Sequence, residues 1–147
     1  MSNVEILHVR RYYPLGVSEI IGRGGASFIG VLDESTVLKY PCIPGNNEGI
    51  QTEARLLEAI GSHPRIIATE GLTKYGLVLQ RASTGCLNDY IDYIASLPAI
   101  PFDRKLLWRK QTAEAVSVIH EKHVIHCDIN LQNLLLDKHL DLLLADF

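Results

Sequence analysis

One acidic residue sits on the wrong side of its helix. The segment from Glu48 to Ile60 carries apolar residues at helical spacing, with Asn47 placed to cap its start and Gly61 placed to end it. At about 100° per residue, with Ile50 at zero, Leu57 falls at about −20° and Ile60 at about −80°. Glu53 falls between them at about −60°, inside the apolar stripe, whereas Arg55 and Glu58 lie outside it. A carboxylate aimed at a core needs a partner, because burying it alone would protonate it or destabilise the fold. The available cation is Lys39, on a strand where Val37 and Lys39 share a face. The other placement, Glu53 at the helix edge reaching water, stays open on sequence, but the angles favour the inward one. In the inward placement the Lys39 strand packs against this helix.

The rest of the composition is compatible with a core that can hold such a pair. The chain has 147 residues, 47% hydrophobic and 21% charged, with a net charge of −3. Disordered chains are poorer in apolar residues, so this is a globular sequence of one-domain length. No block of like charge offers a footprint for nucleic acid or an anionic membrane surface. No apolar run reaches the roughly 18 residues needed to span a bilayer. The start, with Glu5 and His8, does not read as a secretory signal. Cys42, Cys86 and Cys127 are odd in number and far apart, so no disulfide partner is expected. A reducing compartment, cytoplasmic or nuclear, is the expectation.

Along the chain, residues 17–40 read as β-rich, with strands at Val17–Ile21, Phe28–Leu32 and Thr36–Tyr40 and a turn at Asp33-Glu34-Ser35. Pro41 to Gly49 is a loop. After the Glu53 helix come short strands near Ile66–Thr69 and Gly76–Gln80, then a helix from about Cys86 to Ser96. A connector at Leu97–Pro101 leads to a helix that Asp103 can cap, running to about Glu121, with Phe102 and Leu107 placed for a hydrophobic staple. Trp108 reads as core or helix surface. Leu134–Leu136 and Leu140–Leu144 form a final hairpin. The sum is an α+β chain with a seam near Ala82–Gly85.

Two further stretches carry candidate chemistry. Gly22-Arg23-Gly24-Gly25-Ala26-Ser27 lies between two strands, where glycines let a tight hairpin bring backbone N–H groups close to phosphate oxygens. On its own, a glycine-rich turn that binds nothing is the simpler reading. In His126-Cys127-Asp128-Ile129-Asn130-Leu131-Gln132-Asn133 and in Asp146-Phe147, oxygen-bearing side chains sit at the ends of short apolar strands. Carboxylate and amide oxygens suit a hard cation that also holds phosphates, and a further carboxylate is free to accept a hydroxyl proton. Taken singly, such residues in turns simply cap and solvate. The run His120, His123, His126 invites a metal reading, but no Cys or carboxylate spacing supports zinc, and structural roles are the simpler account.

In this order the pieces resemble a eukaryotic-type protein kinase over roughly residues 15–147. Gly22-x-Gly24 is similar to the first two loop glycines, and Ile29 stands for the following valine. Thr36-Val37-Leu38-Lys39 is similar to the strand that carries the lysine, and Glu53 matches the helix acid. Ser62-His63-Pro64-Arg65-Ile66-Ile67 resembles the family's His-Pro stretch. Leu79-Gln80-Arg81-Ala82 falls at the hinge, with Leu79 as gatekeeper. Asp128, Asn133 and Asp146-Phe147 complete the set.

The resemblance implies a five-stranded antiparallel N-lobe with one helix, residues 15–82, behind an extension at 1–14. The start of a helical C-lobe follows at 83–147. It implies phosphoryl transfer from Mg²⁺·ATP to a protein substrate. Lys39, held by Glu53, would contact the α/β-phosphates. Asn133 and Asp146 would hold Mg²⁺, and Asp128 would orient the substrate hydroxyl. Adenine would meet the hinge near Gln80–Ala82.

Three residues depart from the family pattern. Ser27 replaces the third loop glycine, Cys127 replaces the arginine after the histidine, and Asn130 stands where serine/threonine kinases place a lysine. The last change removes a cation from the transferring phosphoryl, and the hydroxyl preference leans to Ser/Thr. The sequence stops at Phe147, so a truncated kinase domain is expected, with Val116 and Ile119 left without partners in an exposed apolar patch. Two alternatives stand beside the kinase reading. One is a pseudokinase-like nucleotide-binding or interaction module. The other is a small-molecule kinase of the aminoglycoside or choline type, which Gly22-x-Gly24 and Asp146-Phe147 argue against.

Overall fold

A single carboxylate oxygen turns the chain from its second strand into its third. In the computed structural model, which describes residues 12–94 and 99–147, Asp33 Oδ1 accepts hydrogen bonds from Ser35 N at 2.7 Å, Ser35 Oγ at 2.9 Å and Thr36 N at 2.8 Å. The Ser35 backbone N–H leads these donors in holding the Asp33 pKa down at about 2. This turn joins β2 (Ser27–Val31) to β3 (Thr36–Pro41), and β1 (Glu19–Arg23) pairs on the far side of β2. Helix α1 (Glu48–Ile60) follows, then β4 (Thr69–Leu72) and β5 (Leu77–Gln80). All pairings are antiparallel, in the order β1-β2-β3-β5-β4.

A smaller sheet, order β6-β7-β8, is built from β6 (Gly85–Cys86), β7 (Leu134–Leu136) and β8 (Leu142–Leu144). It packs with α2 (Leu87–Ile94) and α3 (Phe102–Glu121). The two parts share one core that runs from Val37, Leu57 and Leu77 to Ile119, Leu136 and Leu144. They are also joined through backbone: Ile66 bridges Leu144 in parallel, with Ile67 N donating to Leu144 O at 2.9 Å and Leu144 N to Arg65 O at 2.8 Å. Among the described residues no helix is long and apolar enough to cross a membrane.

Several boundaries differ from the sequence expectation. The strand expected at Ile66–Thr69 lies instead at Thr69–Leu72; the apolar pair Ile66 and Ile67 is buried because it faces β8. Asn47 makes no side-chain cap on α1. Its backbone is already helical (φ −96°, ψ −1°), and its carbonyl accepts the Gln51 N–H. Gly61 does end α1, at φ 79°, with its N–H on Leu57 O. Helix α3 begins one residue before Asp103, with Pro101 at the cap position, so Asp103 contributes charge to the first turn rather than a cap. Phe102 is itself helical and exposed, which removes the staple with Leu107. Residues 95–96 of the helix expected to reach Ser96, residues 97–98 of the connector and residues 1–11 of the extension lie outside the described ones.

Ile119 is the clearest correction. It is fully buried, not stranded on an open face, because the β7–β8 hairpin lies across α3. Trp108 Nε1 donates to Leu140 O at 2.8 Å, Gln111 Oε1 accepts Leu142 N at 3.0 Å, and Gln111 Nε2 donates to Asp141 Oδ1 at 2.6 Å. The exposed large apolar residues of α3 are Phe102, Leu106 and Leu107, while Val116 is half-buried.

Gly76, just before β5, has no room for a side chain. A Cβ there would lie 2.2 Å from the Lys39 carbonyl oxygen and 3.1 Å from Tyr40 Cα, so backbone would have to move. Gly76→Ala is therefore expected to destabilise the protein by about 1–3 kcal/mol, the usual cost of overpacking. A shift in urea midpoint checks it; an unchanged midpoint would mean β5 is not held against β3 as described.

Candidate functional site

Strand β3 delivers the site's cation. In register with Ile29 on β2 and Leu77 on β5, Lys39 shares a sheet face with Val37, which pairs with Leu79. Lys39 Nζ is ion-paired with two carboxylates, Glu53 Oε2 from α1 and Asp146 Oδ1 from just after β8. Glu53 is 1% exposed, so its carboxylate points inward as the helical angles require, while the Asp146 side chain remains 56% exposed.

Burial pulls the Lys39 ammonium down, but Glu53 and then Asp146 outweigh it, and its pKa ends above the ordinary lysine value. Glu53 is pushed above the ordinary carboxylate value, first by burial. Lys39 opposes that push and the Asp146 charge adds to it. The Phe147 N–H faces the carboxylate and lowers it slightly, yet Glu53 Oε1 has no hydrogen bond of good geometry.

The loop after α3 is locked to the same place through His126. Its buried ring accepts Asp128 N on Nδ1 at 3.3 Å and donates from Nε2 to Ala145 O at 2.8 Å, a pattern that assigns the Nε2–H tautomer. The ring also packs on Phe147, with centroids 4.9 Å apart. Asn133 closes the circuit: its carbonyl accepts Ala145 N at 3.0 Å, and its Nδ2 donates to Asp128 O at 2.9 Å and to Asp128 Oδ2 at 3.1 Å. Asp128, Asn133, Asp146, Lys39 and Glu53 thus form one bonded network. Cys127 and Asp146 both have left-handed backbones, φ 66° and 65°, uncommon for residues with side chains and placed here at the two turns that aim the acids.

The glycine turn sits at the other edge of β1 and β2. Gly22 pairs with Ile29, and a Cβ on it would crowd Ile29 Cγ1 at 3.3 Å. Gly24 N donates to Ser27 O at 2.8 Å, closing the turn, and Ala26 O accepts Cys42 N. At the end of β5, Gln80 is half-buried. The Ala82 carbonyl accepts Gly85 N, while the Ala82 N–H meets no acceptor among the described residues.

The network brings together Lys39, Glu53, Asp128, Asn133 and Asp146. Gly22, Gly24, Ile29, Leu79, Gln80 and Ala82 lie on the strands and turns of the large sheet and just beyond it. His120 is exposed at the end of α3 and His123 lies beyond it. Neither shares a site with His126, and among the described residues no three His, Cys, Asp or Glu side chains form a metal cage. Two contacts escaped sequence reasoning: the His126 clamp on Ala145, and Asn130 Nδ2 donating to Asp128 Oδ1 at 2.9 Å. The i to i+2 spacing of Asp128 and Asn130 was the available signal for the second.

A buried lysine–glutamate pair under an antiparallel sheet is joined here to an Asp/Asn loop. The chain belongs to the protein kinase family: the protein kinase domain model matches residues 36–147. It is similar to NUAK family SNF1-like kinase 2 of Homo sapiens, at 31% identity over 102 residues, 67% of this chain and 16% of that protein. It is similar to serine/threonine-protein kinase SIK1 of Rattus norvegicus, at 34% over 106 residues, 69% of this chain and 13% of that protein. Similarity to the serine/threonine-protein kinase US3 homolog of Varicella-zoster virus (strain Dumas) is 27% over 130 residues, 86% of this chain and 32% of that protein. The chain therefore spans a third or less of the length of these relatives. The family match begins at Thr36, so the glycine turn rests on its own geometry.

Removing the cation tests the network. Lys39→Met leaves Glu53 buried and unpaired, which is expected to cost about 3–5 kcal/mol near neutral pH. Without the ammonium, burial raises the Glu53 pKa further. A carboxyl with a raised folded pKa contributes stability that is fully present below its unfolded value and lost as pH rises through the folded one. The gap between variant and wild type should therefore narrow as pH falls from neutrality toward the ordinary glutamate value of about 4.3. Denaturant midpoints across that range check it; a constant gap would show that Glu53 is not the charge left unpaired.

Proposed function

We propose that this chain carries the ATP-binding and catalytic parts of a protein kinase that transfers the γ-phosphoryl group of ATP to a protein hydroxyl, with a lean to Ser/Thr. The observation that carries this reading is the single ammonium of Lys39 shared between Glu53 and Asp146, with Asp146 tied through Ala145 and Asn133 to Asp128. A lysine so held is fixed in direction, as a group contacting α/β-phosphates must be.

The donor set fits Mg²⁺. Among the described residues Asp146 Oδ2 and Asn133 Oδ1 accept no hydrogen bond, leaving two hard oxygens for a cation shared with phosphates. Bound Mg²⁺ would neutralise charge on the phosphates. Lys39 would hold the α/β-phosphates and Glu53 would keep Lys39 in place. Asp128 would orient the substrate hydroxyl and accept its proton. The turn at Gly22 and Gly24 would cover the phosphates with backbone N–H groups, Ile29 and Leu79 would flank the base, and Gln80 and Ala82 would meet it through backbone. In this reading residues 15–82 are the N-lobe and 83–147 the first part of the C-lobe, behind an extension at 1–14. The thiols of Cys42, Cys86 and Cys127 are free, which supports a cytoplasmic or nuclear setting.

A second reading, a nucleotide-binding module without catalysis, is favoured by one observation: where serine/threonine kinases carry a lysine, Asn130 supplies a neutral amide. Radiolabel transfer from γ-phosphate-labelled ATP to casein separates the two. The kinase reading expects transfer that falls by about a hundredfold or more in Asp128→Asn, with nucleotide binding retained. Mg²⁺·ATP binding without transfer would replace it with the second reading.

A further inference from the structure

Asn130 touches more of the catalytic loop than a turn residue needs to. Its Oδ1 accepts the Gln132 N–H at 2.8 Å and the Asn133 N–H at 3.2 Å. Its Nδ2 donates to Asp128 Oδ1 at 2.9 Å and approaches Asp128 O at 3.4 Å. This network assigns the amide orientation: flipping it would set NH₂ against two N–H donors and oxygen against a carboxylate. Asn133 grips the other carboxylate oxygen, Asp128 Oδ2, at 3.1 Å. Each oxygen of the acid thus receives one neutral amide donor, although Asp128 is exposed and would otherwise rotate freely.

We propose that Asn130 is the positioning residue of this loop, aiming the Asp128 carboxylate and, through the Asn133 N–H, fixing the start of the segment that presents Asn133. The inference rests on the kinase reading above and deepens it. In this chain the place of a cation at the transferring phosphoryl is taken by a group that orients the acid instead. One side chain performs two separable tasks. Its oxygen shapes the backbone from Asn130 to Asn133, and its NH₂ holds the acid. A carboxylate oriented by two fixed donors keeps two lone pairs in one direction for an incoming hydroxyl, which is a matter of geometry rather than charge.

The separation of tasks supplies the test. Asn130→Asp keeps an oxygen for the Gln132 and Asn133 N–H groups but faces Asp128 Oδ1 with an acceptor. Expected is an unchanged melting temperature and ATP KM, with kcat lower by roughly 10- to 100-fold. Asn130→Lys returns a donor to Asp128 and should recover kcat relative to Asn130→Asp, though at lower stability. Wild-type kcat in Asn130→Asp, or Asn130→Lys less active than it, would overturn the assignment. A readout independent of turnover is the ¹H–¹⁵N resonance pair of the Asn130 side-chain amide in the nucleotide-free protein. It should move in Asp128→Ala and stay in place in Glu58→Gln, a change at an exposed residue of α1 outside the network. A pair that ignores Asp128→Ala sinks the inference. A pair that responds in a wild-type protein showing no phosphoryl transfer keeps the contact and removes the kinase reading instead.

Discussion

A single ammonium serves two acids in this structure. Burying Lys39 costs hydration that only Glu53 and Asp146 can replace, so strand β3, helix α1 and the segment after β8 must meet at one point. Each of those elements is then fixed by ordinary means. Strand β3 is central in its sheet, α1 is anchored by Ile50, Leu57 and Ile60, and β8 is paired on one side with β7 and bridged on the other by Ile66. The apolar core makes the meeting possible, and the ion pairs make it specific.

The pair is not symmetrical. Lys39 is favoured as a cation by its partners, whereas Glu53 carries the cost of burial and the repulsion of Asp146, with one oxygen left unbonded. Such an acid is held by its neighbours rather than by its own preference. An arrangement of this kind responds to changes in charge around Asp146, the more exposed of the two acids.

Much of this was legible in the sequence, for physical reasons that differ by residue. Glu53 stood out because a helix period exposes any polar residue inside an apolar stripe, and no tertiary knowledge was needed. Asp128, Asn133 and Asp146 stood out only as a spaced set resembling a known family. The misses came where tertiary contact overrides local pattern. Ile66 and Ile67 are apolar enough for a strand but are consumed by β8, and the true edge strand, Thr69–Leu72, is half polar. Asn47 looked like a cap, yet the backbone enters the helix one residue early. Ile119 looked exposed on α3 until the β7–β8 hairpin covered it. The grip of Asn130 on Asp128 depends on a turn conformation that residue identity does not reveal.

The contact between Lys39 and Asp146 joins positions 107 residues apart. Closing so long a loop carries an entropic cost that local pairings do not, so the β1–β2–β3 meander and α1 can associate well before the last hairpin arrives. During synthesis the early elements emerge first, and Lys39 then has only Glu53 as a partner. Completing the triad therefore requires β8 to dock beside Ile66, which brings a distant second anion to a cation whose other partner, Glu53, is only 14 residues away in the chain.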